Sequence, residues 1–285
     1  MLIKRNLLVF FRDRSAVFFS LLAVFIMLGL YILFLGSAME EDLSQKLGLK
    51  DSQVGVVTAS LTLSGIISVT CVTGSMGAMG IFISDKEKAG KDFLTSPISR
   101  NKLTAGYMFS GALISAIMSF AALIFCLVFI VAKGGHLPDI KGFLGLLLTT
   151  VLSVLCGSSI VFFITCFVSS EKAYASLCTV VGTLIGFLIG AYIPIGVMPD
   201  GVQWVIKCFP MSHSASMYKQ ILTDNSTAVL FKNAPSDALG DFRSIYGIHL
   251  AYGSYTSQFW LSALILAGTA VIFYSLSLKV LKKKS

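Results

Sequence analysis

Val54 to Ile83 is a run of thirty residues without one charged side chain. An ionised group at the centre of a membrane helix costs about 2.5–3.5 kcal/mol, so a run purged of charge and longer than twenty residues reads as a helix crossing a bilayer. At 1.5 Å per residue this one would measure about 45 Å, against about 30 Å of hydrocarbon. It should therefore tilt, kink or project into water. Five more runs have the same character, Ala16–Gly36, Tyr107–Ala132, Phe143–Val168, Ala173–Ile193 and Gln258–Leu278. Charged residues make up 13% of the chain, about half the share of an ordinary soluble domain. The expected fold class is an all-α polytopic membrane protein. It has six transmembrane helices in a single domain spanning residues 1–285.

The flanks of these runs set further expectations. Residues 1–14 place Lys4, Arg5, Arg12 and Arg14 among Leu7, Leu8, Phe10 and Phe11. Such a basic amphipathic helix lies in the headgroup plane. Ala16–Gly36 is too long for the h-region of a signal peptide, about 7–15 residues, and is read as a retained span. Ser37–Gln53, with Glu40, Glu41 and Asp42, reads as a short polar loop. With six spans, fourteen of the 22 Lys and Arg fall on the side of the termini and eight on the other. By the positive-inside rule both termini are cytoplasmic, in a multi-pass protein of the cell membrane. The net charge of +8 is spread over the ends of apolar runs, which argues against a nucleic-acid partner and for membrane lipid.

Residues 85–102 form a dense charged segment between the second and third runs, holding Asp85, Lys86, Glu87, Lys88, Lys91, Asp92, Arg100 and Lys102. The same charge count places it in the cytoplasm. Ala89 to Ser96 has room for about two helical turns, and Pro97 stops them because the residue before a proline avoids the α region. A solvated connector would explain the charges alone. The apolar Phe93, Leu94 and Ile98 among them suit a surface that docks.

Residues 194–257 contain Pro194, Pro199 and Pro210. Val202–Phe209 and Ser212–Leu222 are amphipathic segments split by Pro210, each shorter than a spanning helix, so a re-entrant or interfacial hairpin is expected before the last span. Asp224–Ser257 reads as an extracytoplasmic loop. Gly182, Gly186 and Gly190 recur every fourth residue, which predicts a helix face that another helix can approach.

Little else in the sequence points to chemistry. The six cores hold no Asp, Glu, Lys, Arg or His, the groups that ion-coupled transporters place at membrane depth. Gly90-Lys91 is not a phosphate loop, since Asp85 and Asp92 stand where glycine and Ser/Thr are needed. His136, His213 and His249 show no paired ligand spacing, and the six cysteines show neither CxxC pairs nor a disulfide framework. No catalytic, cofactor or metal residue is expected in this chain.

The segment DKEKAGKDFLTSPISRNKLTAGY resembles the cytoplasmic loop of type-2 permeases of ATP-binding cassette exporters. The matching residues are Glu87, Gly90, Phe93, Leu94, Ser96, Pro97, Ile98 and Arg100, with Asp85 opening the acidic and basic cluster. Met198-Pro199 to Phe209-Pro210 resembles that family's re-entrant pair, and the N-terminal helix and six spans agree. The resemblance implies that Asp85–Arg100 is the coupling helix docking onto an ATPase. It implies two copies of an ATP-binding cassette ATPase subunit carrying ATP and Mg, and a second permease copy or paralogue. It also implies a bacterial plasma membrane and the export of a drug, lipid-linked molecule or peptide. An integral membrane enzyme or a channel-like protein working without an ATPase is the competing expectation.

Overall fold

The computed structural model describes residues 2–47, 52–88, 100–232, 236–253 and 255–283, and these are mostly helical. Helix α1 is Leu2–Arg12, α2 is Arg14–Leu30, and α3 is Gly36–Leu47. They are followed by α4 (Ser52–Lys88), α5 (Arg100–Ala132), α6 (Ile140–Thr165) and α7 (Glu171–Leu188). Then come α8 (Asp200–Cys208), α9 (Pro210–Leu230), α10 (Ser236–Ile245) and α11 (Phe259–Lys283). A two-stranded antiparallel hairpin pairs β1 (Ala251–Tyr252) with β2 (Tyr255–Thr256) just before α11.

Helix α4 is the axis of the bundle. It packs against α2, α5, α6, α7 and α9, and from Val54 to Val72 all but one of its residues are buried. A helix surrounded in this way needs no polar face, which is why its apolar run is continuous. Five of its hydroxyls are satisfied locally, while the buried Ser60 and Thr73 hydroxyls have no hydrogen-bond partner among the described residues. Thr62, Ser64, Ser68, Thr70 and Ser75 each donate to the carbonyl four residues back.

Local chemistry starts the other helices. Asp13 accepts from the amides of Ser15 and Ala16 to open α2. Asp139 accepts from Gly142 at 2.8 Å to open α6, and Ser170 from Ala173 to open α7. These are ordinary N-caps, each satisfying an amide that the first turn leaves unpaired. Between α2 and α3 the chain makes one π turn, Tyr31–Leu35, closed by the Gly36 amide on the Tyr31 carbonyl. A Cβ on Gly36 would stand 2.8 Å from that carbonyl oxygen, so the bulge needs glycine there.

Five helical stretches among the described residues are long and apolar enough to cross a membrane: Arg14–Gln45, Gln53–Lys88, Lys102–Ala132, Ile140–Thr165 and Phe259–Val280. The expected span over 173–193 is the shorter helix α7, whose C-terminus turns at Gly190 in the left-handed region, φ +67°.

Three expectations are corrected. The polar loop expected over 37–53 is helical as far as Leu47, because Leu43 and Met39 pack with Val54, Val57 and Leu61 of α4 and with α10. The short segment expected over Ser212–Leu222 belongs to a helix of 21 residues, Pro210–Leu230. The loop expected over Asp224–Ser257 contains the end of that helix, then α10 and the β hairpin.

Candidate functional site

The four residues Asp85 to Lys88, the last turn of α4, tie that helix to three other parts of the bundle. The Arg5 guanidinium of α1 binds both carboxylate oxygens of Asp85, with Nη2 donating to Oδ1 at 2.7 Å. The Tyr107 hydroxyl of α5 donates to Oδ2 at 2.6 Å. Bidentate arginine is the strong form of this contact, because two parallel charge-assisted bonds fix its geometry. The Asp85 carboxylate in turn raises the pKa of Arg5, chiefly through that hydrogen bond. Beside it, Asn6 is buried and donates to the Ser110 hydroxyl of α5 at 2.9 Å.

The opposite flank of the same turn grips the connection between α6 and α7. Lys86 Nζ donates to the Val168 carbonyl at 2.7 Å. Glu87 Oε2 accepts from the Glu171 amide at 2.7 Å, and Lys88 lies 3.1 Å from the Glu171 carboxylate. A carboxylate at a helix N-terminus satisfies an orphan amide and complements the helix dipole. The Ser84 hydroxyl and the Lys88 ammonium hold the Glu171 carboxyl below its usual pKa. Higher in α7, the Tyr174 hydroxyl donates to the Met76 carbonyl of α4 at 2.6 Å.

Of the coupling residues named from sequence, Asp85 and Glu87 therefore sit in this clamp and make its cross-helix bonds. Arg100 is the first residue of α5. Gly90, Phe93, Leu94, Pro97 and Ile98 lie outside the described residues. Arg5, Asn6, Tyr107, Val168 and Glu171 were not among the coupling residues named from sequence. The paired signs of Arg5 and Asp85 were a faint signal, but eighty positions separate them, and no local periodicity reports such a contact.

The three prolines of the outer region each precede or open an element. Pro194 stands before a single 3₁₀ turn, Ile195–Val197. Pro199 precedes α8, and Pro210 is the first residue of α9, a position where its missing amide goes unmissed. Helix α9 is buried along most of its length. Ser214 bonds the hydroxyls of Ser68 and Ser153, and Tyr218 donates to Thr150. Lys219 is 3% exposed and donates to the carbonyls of Tyr246 at 2.9 Å and Gly190 at 3.3 Å.

The glycine face expected on α7 is resolved differently by the fold. A Cβ on Gly186 would stand 2.0 Å from the Tyr192 ring, and one on Gly190 2.7 Å from Ile195. What approaches this part of α7 is its own following turn rather than a second helix, and Gly190 lies beyond the helix. Gly182 has no neighbour within 4 Å of a Cβ position.

Among the described residues no group of three or more His, Cys, Asp or Glu side chains could hold a metal ion. None of the six cysteines is in a disulfide. The arrangement is mechanical in kind: a charged helix end, bonded on two sides, at the point where the chain leaves α4. Comparison with curated proteins found no match. The family model described as "ABC-2 family transporter protein" matches residues 43–279, and the chain belongs to that family of membrane transport permeases.

Proposed function

We propose that this chain is the permease subunit of an ATP-binding cassette exporter, with six spans, both termini in the cytoplasm and the segment after Lys88 docked on a partner ATPase. Two copies of that ATPase would hold ATP and Mg, and a second permease copy or paralogue would complete the complex. The substrate class is amphipathic or hydrophobic: a drug, a lipid-linked molecule or a peptide.

The observation that carries this reading is the clamp at Asp85–Lys88. A load applied just beyond Lys88 reaches α1 and α5 through Asp85, and the α6–α7 connection through Lys86 and Glu87. Rigid packed helices pass such a displacement on as body movement instead of absorbing it.

Hydroxyl bonds between α4, α6 and α9 hold the middle of the single chain together, which supports a substrate route between two copies. The exposed Phe18, Phe25 and Leu33 before α3, with Val180, Leu184 and Phe187 of α7, are apolar surfaces suited to a second copy or to lipid. Helix α8 exposes Val202, Trp204 and Val205 and is placed in the interface plane, where tryptophan is favoured.

Purification of the tagged chain from its native membrane tests this reading. A soluble nucleotide-binding subunit should accompany it. Activity on lipid or ion conduction by the chain alone, with no such subunit, would favour a membrane enzyme or a channel instead.

A further inference from the structure

A cavity of about 430 Å³ opens at the end of the bundle remote from the clamp. Its walls come from four segments: the turn before α6 with Asp139, the first turn of α6 with Lys141, the middle of α9 with Gln220 and Asp224, and the stretch from α10 to the hairpin with Arg243 and His249. The volume falls in the range of small-molecule sites, about 300–1,000 Å³.

The charges on these walls are of both signs and come from separate elements. Among the described residues no ion pair engages Lys141, Asp224 or Arg243. Asp139 uses one carboxylate oxygen, Oδ1, to cap α6. The Gln220 amide nitrogen is fixed by the Ser216 hydroxyl and the Ile248 carbonyl, both at 3.1 Å, which leaves its oxygen as an acceptor. His249 Nδ1 donates to the Ser257 carbonyl at 3.0 Å, so in the neutral ring Nε2 is also an acceptor.

A purely anionic ligand would meet Asp139 and Asp224 here, and a purely cationic one Lys141 and Arg243. A ligand carrying both charges satisfies both sets, and unpaired charge in a partly enclosed site is strongly discriminating. We infer that this cavity is a binding site for a small zwitterion, an ammonium close to a carboxylate or a phosphate. That chemistry is offered by a peptide and by a phosphoethanolamine headgroup. Its placement on the outer face rests on the exporter reading; the binding itself does not.

The test uses the full chain in nanodiscs of phosphatidylglycerol, a lipid without an ammonium, and no ATPase. Triglycine, O-phosphoethanolamine, acetate and ethylamine are titrated and followed by saturation-transfer NMR. At least one zwitterion should bind, with acetate and ethylamine weaker by about tenfold or more. Triglycine binding would mark the peptide source, phosphoethanolamine binding the headgroup. Asp224→Asn and Arg243→Gln, each at a wall position with no pairing to lose, should each weaken binding by about tenfold while the unfolding temperature holds. The inference is overturned if neither zwitterion saturates, if a singly charged compound binds equally well, or if both substitutions leave binding unchanged. None of these outcomes bears on whether an ATPase drives the permease.

Discussion

The carboxylate of Glu87, at the end of α4, accepts the backbone amide of Glu171, at the start of α7, across 2.7 Å. One helix thus adds to the Ser170 cap of another by satisfying a second amide, eighty-four positions away in the chain. Glu87→Gln keeps an acceptor and should leave stability within about 0.5 kcal/mol of the native chain. Glu87→Lys puts a cation at the positive end of α7 and removes this acceptor. It should cost about 1 kcal/mol and reduce transport-linked ATP hydrolysis without reducing expression. Thermal unfolding and an ATPase assay of the assembled complex read the two effects separately.

Arg5 and Asp85 anchor the amphipathic helix α1. Arg5 is about half exposed and Asp85 mostly covered, so solvent screens the pair and its worth is about 1 kcal/mol. Arg5→Gln and Asp85→Asn should each speed tryptic cleavage at Arg12 and Arg14. The double variant should be little worse than either single one, as a double-mutant cycle on a shared contact requires.

Acid should loosen the link between α4 and α7. The Glu171 carboxyl is held below its usual range by Ser84 and Lys88. Its contribution is therefore full above the unfolded carboxylate pKa and is lost as pH falls through the lower folded value. Lys88 and Glu171 are surface groups, so the effect is confined to their own turn. Hydrogen exchange at the first amides of α7 should rise on acidification, and Glu171→Gln should flatten that rise.

Gly65 marks a close approach between α4 and the turn after α7. A Cβ there would stand 2.5 Å from the Ala191 Cβ and 3.0 Å from its Cα. The obstacle includes backbone and cannot rotate away, so Gly65→Ala should destabilise the protein by about 1–3 kcal/mol. Adding Ala191→Gly should recover part of that loss, as judged by thermal unfolding of the two variants.

What the sequence made legible follows from what hydropathy can register. The uncharged run of α4 announced a helix crossing a bilayer, and the charged residues after Ile83 announced its end in water. Helix α9 was read as the short segment Ser212–Leu222 followed by a loop, because Ser212, His213, Ser214 and Lys219 look polar. In the fold each of them finds a partner, such as Leu188 for Ser212 and Ser262 for His213. Helix α3 was hidden by Glu40, Glu41 and Asp42, although Met39 and Leu43 already carried the four-residue spacing of a buried stripe. The clamp was half legible. Asp85 and Glu87 stood out by charge, whereas their partners Arg5, Tyr107 and the Glu171 amide are brought to them only by tertiary packing.

The central claim is that the end of α4 is where a separate motor moves this permease. Substrate transport coupled to ATP hydrolysis, measured in proteoliposomes holding the purified complex, tests it most directly when native chain and Glu87→Lys are compared. The variant complex should assemble and keep basal ATP hydrolysis but lose the transport-linked part, so that it transports little for each ATP consumed. Unchanged coupling in the variant, or transport by the permease with no ATPase present, would contradict it.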